Sequence, residues 1–451
     1  MPRDLPDAWL DHAGRNLPRY TSYPTALAFE PLTEAKPDWV GDTRADEVIS
    51  AYVHVPFCRR LCWYCGCHTT IAHDYERIGA YNDRLRREVD LWAAALGPHD
   101  GLAHLHFGGG SPNAMTPEDF LSLVRLMADR FRLRPGAEVA AELDPGLLSP
   151  AFIEAAAEAG VTRVSLGVQT LDPAVQRKVN RIQPFDQVAG AVEHIRRLGI
   201  GGLNFDLMYG LPGQTPGNVA ASVAEALTLR PDRVAVFGYA HVPWMKKHQV
   251  MINERDLADI RGRWEQAEAA DAALRAAGYV PIGLDHYALP GDALSRAAAA
   301  GTLRRNFQGY TDDPAPVLLP VGASSIGRFG RGFVQNAVAT DAWAKAIGAG
   351  ALPLARQILV TREDDLRAAA IERLMCDLAV DAAAVCRAQG FPDDALDDAV
   401  AAAEALTGTG LAVVEGRTVR VPDAARRLCR VVAACFDTRL PAVPQRHAKA
   451  V

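Results

Sequence analysis

Six short apolar runs, each followed by a segment with helical periodicity, constrain the fold of this 451-residue chain more than any other feature. A strand followed by a helix and then by another strand builds a parallel sheet with right-handed crossovers. Since eight such units close a barrel, six units predict an α/β fold with a partial (β/α)6 TIM-like barrel. The predicted strands are Ala51–Pro56, Leu102–Phe107, Glu138–Leu143, Arg163–Val168, Gly202–Met208 and Arg233–Tyr239.

The segments between the strands carry helix signals. Asp74–Leu96 repeats apolar residues with a period of 3.6, which indicates an amphipathic helix. Thr116 and Ser149 each precede a proline, as residues at the N-cap of a helix often do. These signals support helices that return the chain from one parallel strand to the next.

Changes in composition divide the chain into three predicted units. Residues 1–48 are rich in proline and polar residues, and we expect an extended arm that lies on the barrel. Residues 49–355 form the predicted barrel unit. Residues 356–451 are rich in alanine and contain a predicted hairpin at Val413–Val421, which indicates a mostly helical, winged-helix-like unit.

Composition also excludes several classes of protein. The net charge is −6, whereas nucleic-acid-binding domains are usually strongly basic. Prolines and acids interrupt the amino-terminal segment, and no apolar run approaches the roughly 18 residues of a membrane span. Half of the eight cysteines lie within ten positions, unlike a disulfide scaffold. We expect a cytoplasmic protein without a nucleic-acid or membrane partner.

A cysteine loop follows the first predicted strand. Cys58, Cys62 and Cys65 have the spacing C-x3-C-x2-C, which lets three thiolates hold a cubane of four irons and four sulfurs and leaves one iron open. With Cys67 and His68 the loop could instead bind zinc, although structural zinc sites usually pair two C-x2-C units. Cys67 could be a fourth ligand, a thiol that faces the substrate or a structural residue. We favour a non-ligand, because a fourth thiolate would close the site.

Polar and glycine residues end several of the predicted strands. The run Phe107–Pro112 contains three glycines, whose missing side chains allow the backbone to approach a ligand closely, and the hydroxyl of Ser111. Glu142, Gln169 and Asp206 interrupt apolar runs near the ends of later strands. Each could cap a neighbouring helix, but three on one rim favour a shared ligand.

Some reactive residues are interpreted as structural. His104 and His106 alternate along a strand without a third ligand, so we expect them to be histidines of the barrel interior. Four cysteines in helical patterns are expected to be buried thiols of the core, namely Cys376, Cys386, Cys429 and Cys435.

With these residues in place, the chain resembles the oxygen-independent coproporphyrinogen III oxidases, which are radical S-adenosyl-L-methionine (SAM) enzymes of haem biosynthesis. The resemblance covers nearly the whole chain. The motifs that carry it are PRYTSYPTA, YVHVPFCRRLCWYCGC, HFGGGSP, ELDP, SLGVQ, VNRIQ, NFDLMYGLP, YAHVP, LDHYA, RRNFQGYT and CFDTRL.

The resemblance implies site residues that the sequence pattern alone does not provide. It implies one 4Fe-4S cluster on Cys58, Cys62 and Cys65, with Cys67 as a non-ligand, and two molecules of SAM. The first SAM would contact Tyr52, Gly109, Glu142 and Ile326. The second would contact Tyr64, Gly110, Ser111, Gln169, Arg181, Asp206 and Ala240. We interpret Tyr52 and Cys67 as candidate catalytic residues.

The resemblance also implies the reaction. A 5′-deoxyadenosyl radical made from SAM would remove hydrogen from two propionate side chains of coproporphyrinogen III, and loss of CO2 would leave the vinyl groups of protoporphyrinogen IX. We expect a monomer that receives electrons from a low-potential donor such as flavodoxin or ferredoxin. Arg19, Arg304 and Arg305 are hypothesised to bind propionates. The alternatives are a haem chaperone, a haem-modifying radical SAM enzyme, and a zinc- or DNA-binding regulator.

Overall fold

The fold, seen in a computed structural model that describes residues 5–33 and 36–440, centres on six parallel strands in one sheet. Each pairs in parallel with the next along the chain, which confirms the predicted partial barrel. The strands are β1 (Ile49–Val55), β2 (Leu102–Gly109), β3 (Leu133–Leu143), β4 (Arg163–Gln169), β5 (Gly202–Tyr209) and β6 (Arg233–Gly238).

Helices cover the outside of the sheet and return the chain between strands. Thr116 and Ser149 accept hydrogen bonds from backbone N–H groups of the first helical turn, which confirms the predicted N-caps. The helices are Glu76–Ala95, Pro117–Phe131, Pro150–Glu158, Pro173–Lys178, Phe185–Arg197, Pro216–Thr228 and Ile260–Ala276.

Further strands extend the sheet at both edges, to thirteen strands in all. Val317–Val321 pairs in parallel with β1, and beyond it Ile326–Phe329, Gly332–Asn336, Leu354–Leu359 and Glu30–Pro31 continue antiparallel. At the other edge His286–Ala288 and Val280–Ile282 follow β6, also antiparallel. The loops between them carry the hairpin Arg304–Asn306 with Gly309–Thr311 and the helices Ala293–Ala299 and Thr340–Gly348.

The carboxyl-terminal part is a helical unit with a small sheet. Ala379–Asp381, Thr418–Arg420 and Val413–Glu415 form three antiparallel strands, of which the last two are the predicted hairpin. The helices are Arg362–Asp377, Ala382–Ala388, Asp397–Glu404 and Cys429–Ala433. Cys376, Cys386 and Cys429 are buried as predicted, whereas Cys435 is only partly buried.

The amino-terminal arm lies between the barrel and the carboxyl-terminal unit. Trp9 donates a hydrogen bond to the Thr409 carbonyl at 2.7 Å, and the Tyr20 hydroxyl lies 3.1 Å from a carboxylate oxygen of Asp437. One hydrophobic core contains buried residues of all three predicted units. The division of the chain into units at residues 48 and 355 stays a prediction. Residues 1–4, 34–35 and 441–451 of these units lie outside the described residues. No helix of the described ranges is long and apolar enough to cross a membrane.

Candidate active site

The cysteine loop begins directly after β1, at the carboxyl ends of the parallel strands. Phe57–Cys58 pairs with Thr70–Ile71, so the loop leaves and returns at neighbouring points. In such folds the carboxyl ends of the strands carry the chemistry. The loop and the polar strand ends predicted from the sequence therefore share one rim of the barrel.

Two distant segments hold the backbone of this loop. From one side, the Trp63 N–H donates to the Val179 carbonyl at 3.0 Å, and the amide of Asn180 donates to Leu61 at 2.8 Å. From the other side, three side chains contact loop carbonyls: Lys246 contacts that of Cys67 at 2.8 Å, His248 that of Cys65 at 2.8 Å and Gln249 that of Tyr64 at 3.0 Å. These contacts hold the loop backbone and leave the thiols uninvolved.

The four thiols have different electrostatic surroundings. A hydrogen bond donated by the Cys67 thiol is the largest effect on Cys65 and lowers the pKa of Cys65 to about 6. The same bond raises the pKa of Cys67 well above its ordinary value. Burial raises the pKa of Cys58 to about 12. Without a metal, these surroundings favour the thiolate form of Cys65 and the thiol form of Cys58 and Cys67. Which of the four binds a cluster stays a prediction.

A buried arginine faces the second cysteine. Arg181 donates to the Cys62 sulfur at 3.4 Å, to the Asp144 carboxylate at 3.1 Å and to the Gly167 carbonyl at 2.6 Å. A guanidinium beside a sulfur stabilises the thiolate, which is the form that binds metal.

The donor set fits an iron–sulfur cluster. Three thiols on one loop are the ligands that such clusters take. A side chain at Gly110 would lie 2.6 Å from the Phe57 carbonyl oxygen, so the glycine run packs closely against the start of the loop. Among residues 5–33 and 36–440, no three Cys, His, Asp or Glu side chains are grouped around one point where they could hold a single metal ion. A cubane differs in this respect, because each thiolate binds a different iron.

A cavity of about 990 Å³ opens beside the cysteine loop and extends into the barrel. Its walls come from the loop, the barrel strands, the amino-terminal arm and the segment around Trp244. Of the residues predicted to bind SAM or to take part in catalysis, it is lined by Tyr64, Cys67, Glu142, Gln169, Asp206 and Ala240. The structure therefore brings residues from the first, third, fourth, fifth and sixth strand–loop units to one space.

The other predicted residues stand around this cavity. The Tyr52 hydroxyl lies 3.2 Å from Nδ1 of His54. The His54 ring in turn packs closely against Gly109 of the glycine run. Ser111 is buried and hydrogen-bonded to Cys58. Ile326 packs against the apolar cluster of Phe29, Phe333 and Ile358. Its contact with SAM stays a prediction.

Glu142 is fixed by partners on β2. Its carboxylate lies 2.9 Å from Nε2 of His106 and accepts a hydrogen bond from the Gly109 N–H at 3.4 Å. Burial raises the pKa of Glu142, but the bond to His106 and the other partners outweigh it, so the pKa is lowered overall. The carboxylate is thus ionised at the cavity wall. His106 lies inside the barrel as predicted, but its role as partner of Glu142 was not foreseen.

Asp206 lines the same cavity. Ser165 donates to its carboxylate at 3.1 Å and Asn204 at 2.9 Å. Burial, followed by the charge of Glu142, nevertheless raises the pKa of Asp206 to about 6. Glu142 and Asp206 therefore titrate differently.

This raised pKa makes a prediction for stability. Between the unfolded carboxyl pKa near 3.9 and about 6, the folded chain holds a proton that the unfolded chain has released, so wild-type stability falls as the pH rises through this window. We expect Asp206→Asn to be more stable than the wild type by up to about 3 kcal/mol near neutral pH, and the gain to vanish near pH 4. Urea unfolding at a series of pH values measures it. The control, Asp83→Asn at an exposed position, should show no such pH dependence, and parallel profiles for Asp206→Asn and wild type would contradict the prediction.

Several cavity residues had no distinguishing signal in the sequence. His286 is hydrogen-bonded to Asp285 at 2.7 Å, and Asp313 lies 3.9 Å from His104; both reach the cavity from outside the six units. Of the arginines predicted to bind propionates, Arg19 lines the cavity. Arg304 and Arg305 line an adjoining cavity of about 310 Å³.

Comparison with known proteins agrees with this architecture. Residues 52–226 match the model of the radical SAM superfamily. The chain is 46% identical over 447 residues to the oxygen-independent coproporphyrinogen III oxidase of Bradyrhizobium diazoefficiens, covering 99% of each. It is 45% identical over 424 residues to that of Paracoccus denitrificans, covering 93% of this chain and 94% of the relative. The solved coproporphyrinogen III oxidase of Escherichia coli, a radical SAM enzyme, superposes with a TM-score of 0.88 at 32% identity, covering 93% and 97%.

Proposed function

Because the chain belongs to the oxygen-independent coproporphyrinogen III oxidases of the radical SAM superfamily, we propose that it converts coproporphyrinogen III into protoporphyrinogen IX without oxygen. Two propionate side chains lose CO2 and become vinyl groups. The family implies one 4Fe-4S cluster and SAM as cofactors. The observation that carries the proposal is full-length similarity joined to a cysteine loop at the mouth of one large cavity.

We propose the cluster ligands to be Cys58, Cys62 and Cys65. When bound, the cluster and SAM supply a 5′-deoxyadenosyl radical that can remove hydrogen from an unactivated carbon. The side chains of Lys246, His248 and Gln249 hold the loop in place through its backbone carbonyls. Arg181 offers a positive charge to the thiolate of Cys62.

We further propose two SAM sites on this rim. The first is formed by Tyr52, Gly109, Glu142 and Ile326, and the second by Tyr64, Gly110, Ser111, Gln169, Arg181, Asp206 and Ala240. The ionised carboxylate of Glu142 suits a cationic ligand, since SAM carries a sulfonium and an ammonium group. The exposed thiol of Cys67, which lines the cavity, is the proposed catalytic thiol.

The other residues that line the cavity exclude water and orient the substrate. The cavity is lined largely by side chains of the barrel interior and covered by the arm and the Trp244 segment. A reactive radical requires such a shielded space. We propose that the chain acts as a monomer in the cytoplasm and takes its electrons from flavodoxin or ferredoxin.

An anaerobic assay tests the function. The protein with reconstituted cluster is supplied with SAM, dithionite and coproporphyrinogen III, and products are separated by chromatography. We expect protoporphyrinogen IX together with 5′-deoxyadenosine. Deoxyadenosine without porphyrin conversion would favour another radical SAM activity, and haem binding without either product would favour the chaperone alternative.

Arg19 provides a specific test of substrate binding. It lines the cavity from the arm, with its guanidinium 3.5 Å from the Gly238 carbonyl, and is otherwise exposed. A charge-assisted hydrogen bond to a propionate is worth about 1.5 kcal/mol or more, so we expect Arg19→Ala to raise KM for coproporphyrinogen III about tenfold. Arg15→Ala, an exposed position of the same arm, is the control and should leave KM unchanged. Equal KM values for Arg19→Ala and wild type would exclude this contact. Arg304 and Arg305 remain proposed partners for a propionate that reaches the adjoining cavity.

A further inference from the structure

The two segments that hold the cysteine loop have an unusual outer surface. The segments are 173–182, with the sequence PAVQRKVNRI, and 244–252, with the sequence WMKKHQVMI. Together they contain five Lys or Arg residues and no Asp or Glu, in a chain whose net charge is −6. Arg181 is buried and Lys178 is paired with Asp256, so the positive charge of the outer surface comes from Arg177, Lys246 and Lys247. We call the two segments the clamp segments. Their charge is opposite in sign to that of the chain as a whole.

The clamp segments also expose apolar side chains. The described residues have ten exposed large hydrophobic side chains, and five lie on these segments: Ile182, Trp244, Met245, Val250 and Met251. Trp244 and Met245 line the substrate cavity. Val250, 70% exposed, Met251, 56%, and Ile182, 49%, do not line it. Exposed apolar patches rimmed by polar residues are typical of protein interaction surfaces.

The two segments pack against each other. Val175 and Val179 belong to the same buried cluster as Ile252. Lys178 of the first segment also forms an ion pair of 3.0 Å with Asp256, which lies four residues beyond the second segment. The cysteine loop lies against both segments, through Val179 and through the side chains that follow Met245. Their outer surface therefore adjoins the cluster-binding loop directly.

From these observations we propose that the clamp segments are the docking surface for a small acidic one-electron carrier protein. The inference rests on the proposed function, since the electron must arrive at a cluster on the cysteine loop. One electron leaves the reduced carrier, which is oxidised, and reduces the cluster by one electron. Exposed Arg177 and Lys247 attract the acidic partner, and Val250 and Met251 provide the apolar centre of the contact.

The matched variants are two double substitutions that change the net charge equally. Lys247→Glu with Val250→Asp alters the clamp surface without touching the side chains that hold the loop. Arg420→Glu with Val413→Asp alters two exposed cross-strand neighbours on the carboxyl-terminal hairpin. Binding of each holoenzyme to a purified acidic flavodoxin is measured by surface plasmon resonance, and reduction of the cluster by reduced flavodoxin is followed by stopped-flow absorbance.

We expect the clamp variant, Lys247→Glu with Val250→Asp, to bind flavodoxin about tenfold more weakly than wild type and to accept its electron about tenfold more slowly. The hairpin variant, Arg420→Glu with Val413→Asp, should match wild type in both measurements. Dithionite-driven turnover should be equal in all three. Raising the salt concentration from about 0.05 M to 0.3 M should weaken flavodoxin binding by wild type more than binding by the clamp variant.

Other results would overturn the docking surface. Unchanged flavodoxin binding by the clamp variant would do so, and so would an equal loss in both variants, which would indicate a nonspecific charge effect. Self-association of wild type that only the clamp variant abolishes would assign the face to a second copy of the chain. If wild type makes no product with dithionite, the proposed function fails, and the binding comparison still decides the docking surface.

Discussion

Cys65→Ser should lose the iron–sulfur cluster and all turnover, whereas Cys67→Ser should keep the cluster. A cubane with only three protein thiolates has no spare ligand, and a serine hydroxyl is a poor substitute for a thiolate. Cys65 and Cys67 are only two residues apart, yet the family resemblance implies that Cys65 is a ligand and Cys67 is not. Iron and sulfide analysis of protein reconstituted under argon measures the difference.

The pair is its own control, because both substitutions replace a thiol by a hydroxyl in the same loop. Wild type and Cys67→Ser should each carry about four irons per chain, and Cys65→Ser should carry far fewer. Cys67→Ser should still be impaired in porphyrin conversion if its thiol acts on the substrate. A colourless Cys67→Ser protein with a brown, active Cys65→Ser protein would reverse the assignment. Zinc as the tightly bound metal of wild type would refute the cluster.

The second large effect is expected at Arg181. This side chain and that of Asp144 are 10% and 11% exposed, and their ion pair of 3.1 Å connects the region after β4 to the region after β3. Removal of one partner from a buried pair leaves the other charge uncompensated, at a cost of about 3 kcal/mol or more. We expect Arg181→Ala to lower the free energy of unfolding by this amount and to reduce the affinity for SAM.

An exposed arginine supplies the comparison. Arg125 forms an ion pair with Glu158 at 2.6 Å, but the two side chains are 61% and 59% exposed. Solvent screens such a pair, so Arg125→Ala should cost less than about 1 kcal/mol. Urea unfolding of both variants without cofactors separates stability from SAM binding. Similar losses in the two variants would mean that the pair of Arg181 has no special weight.

The six strands of the barrel could be predicted because each is an apolar run followed by a segment with helical periodicity. The largest error in a boundary is at β3, which begins at Leu133 rather than Glu138. Pro135 and Gly136 usually indicate a turn. Here Gly136 has a φ of +79° and lies in a stretch of shifted register between β2 and β3. A local irregularity of this kind depends on the neighbouring strand, which the sequence around it does not describe.

The added strands at the edges of the sheet were not foreseen. Val317–Val321 pairs in parallel with β1 although the two strands are more than 250 residues apart. Pro320 lies inside this strand, and proline usually argues against a strand within a sheet. Only the tertiary pairing identifies it.

The candidate site, too, could be predicted only in part. The spacing of the cysteines predicts a cluster because the ligands are close in the chain. His104 and His106 could be placed on one face of a strand, but the contact of His106 with Glu142 joins residues 36 positions apart. The distribution of arginines between two cavities likewise depends on how the arm and the hairpin at Arg304–Asn306 pack.

The position of the arm has a consequence for biosynthesis. Leu17, Pro18 and Arg19 line the cavity, yet the arm is held by carboxyl-terminal residues, through Thr409, Asp437 and the hydrogen bond from Arg430 to the Leu17 carbonyl at 3.1 Å. Those partners are synthesised after the barrel strands and the cysteine loop. The reaction chamber therefore lacks its cover until residues 409–437 have been made. The arm is thus synthesised before the barrel but docks after it.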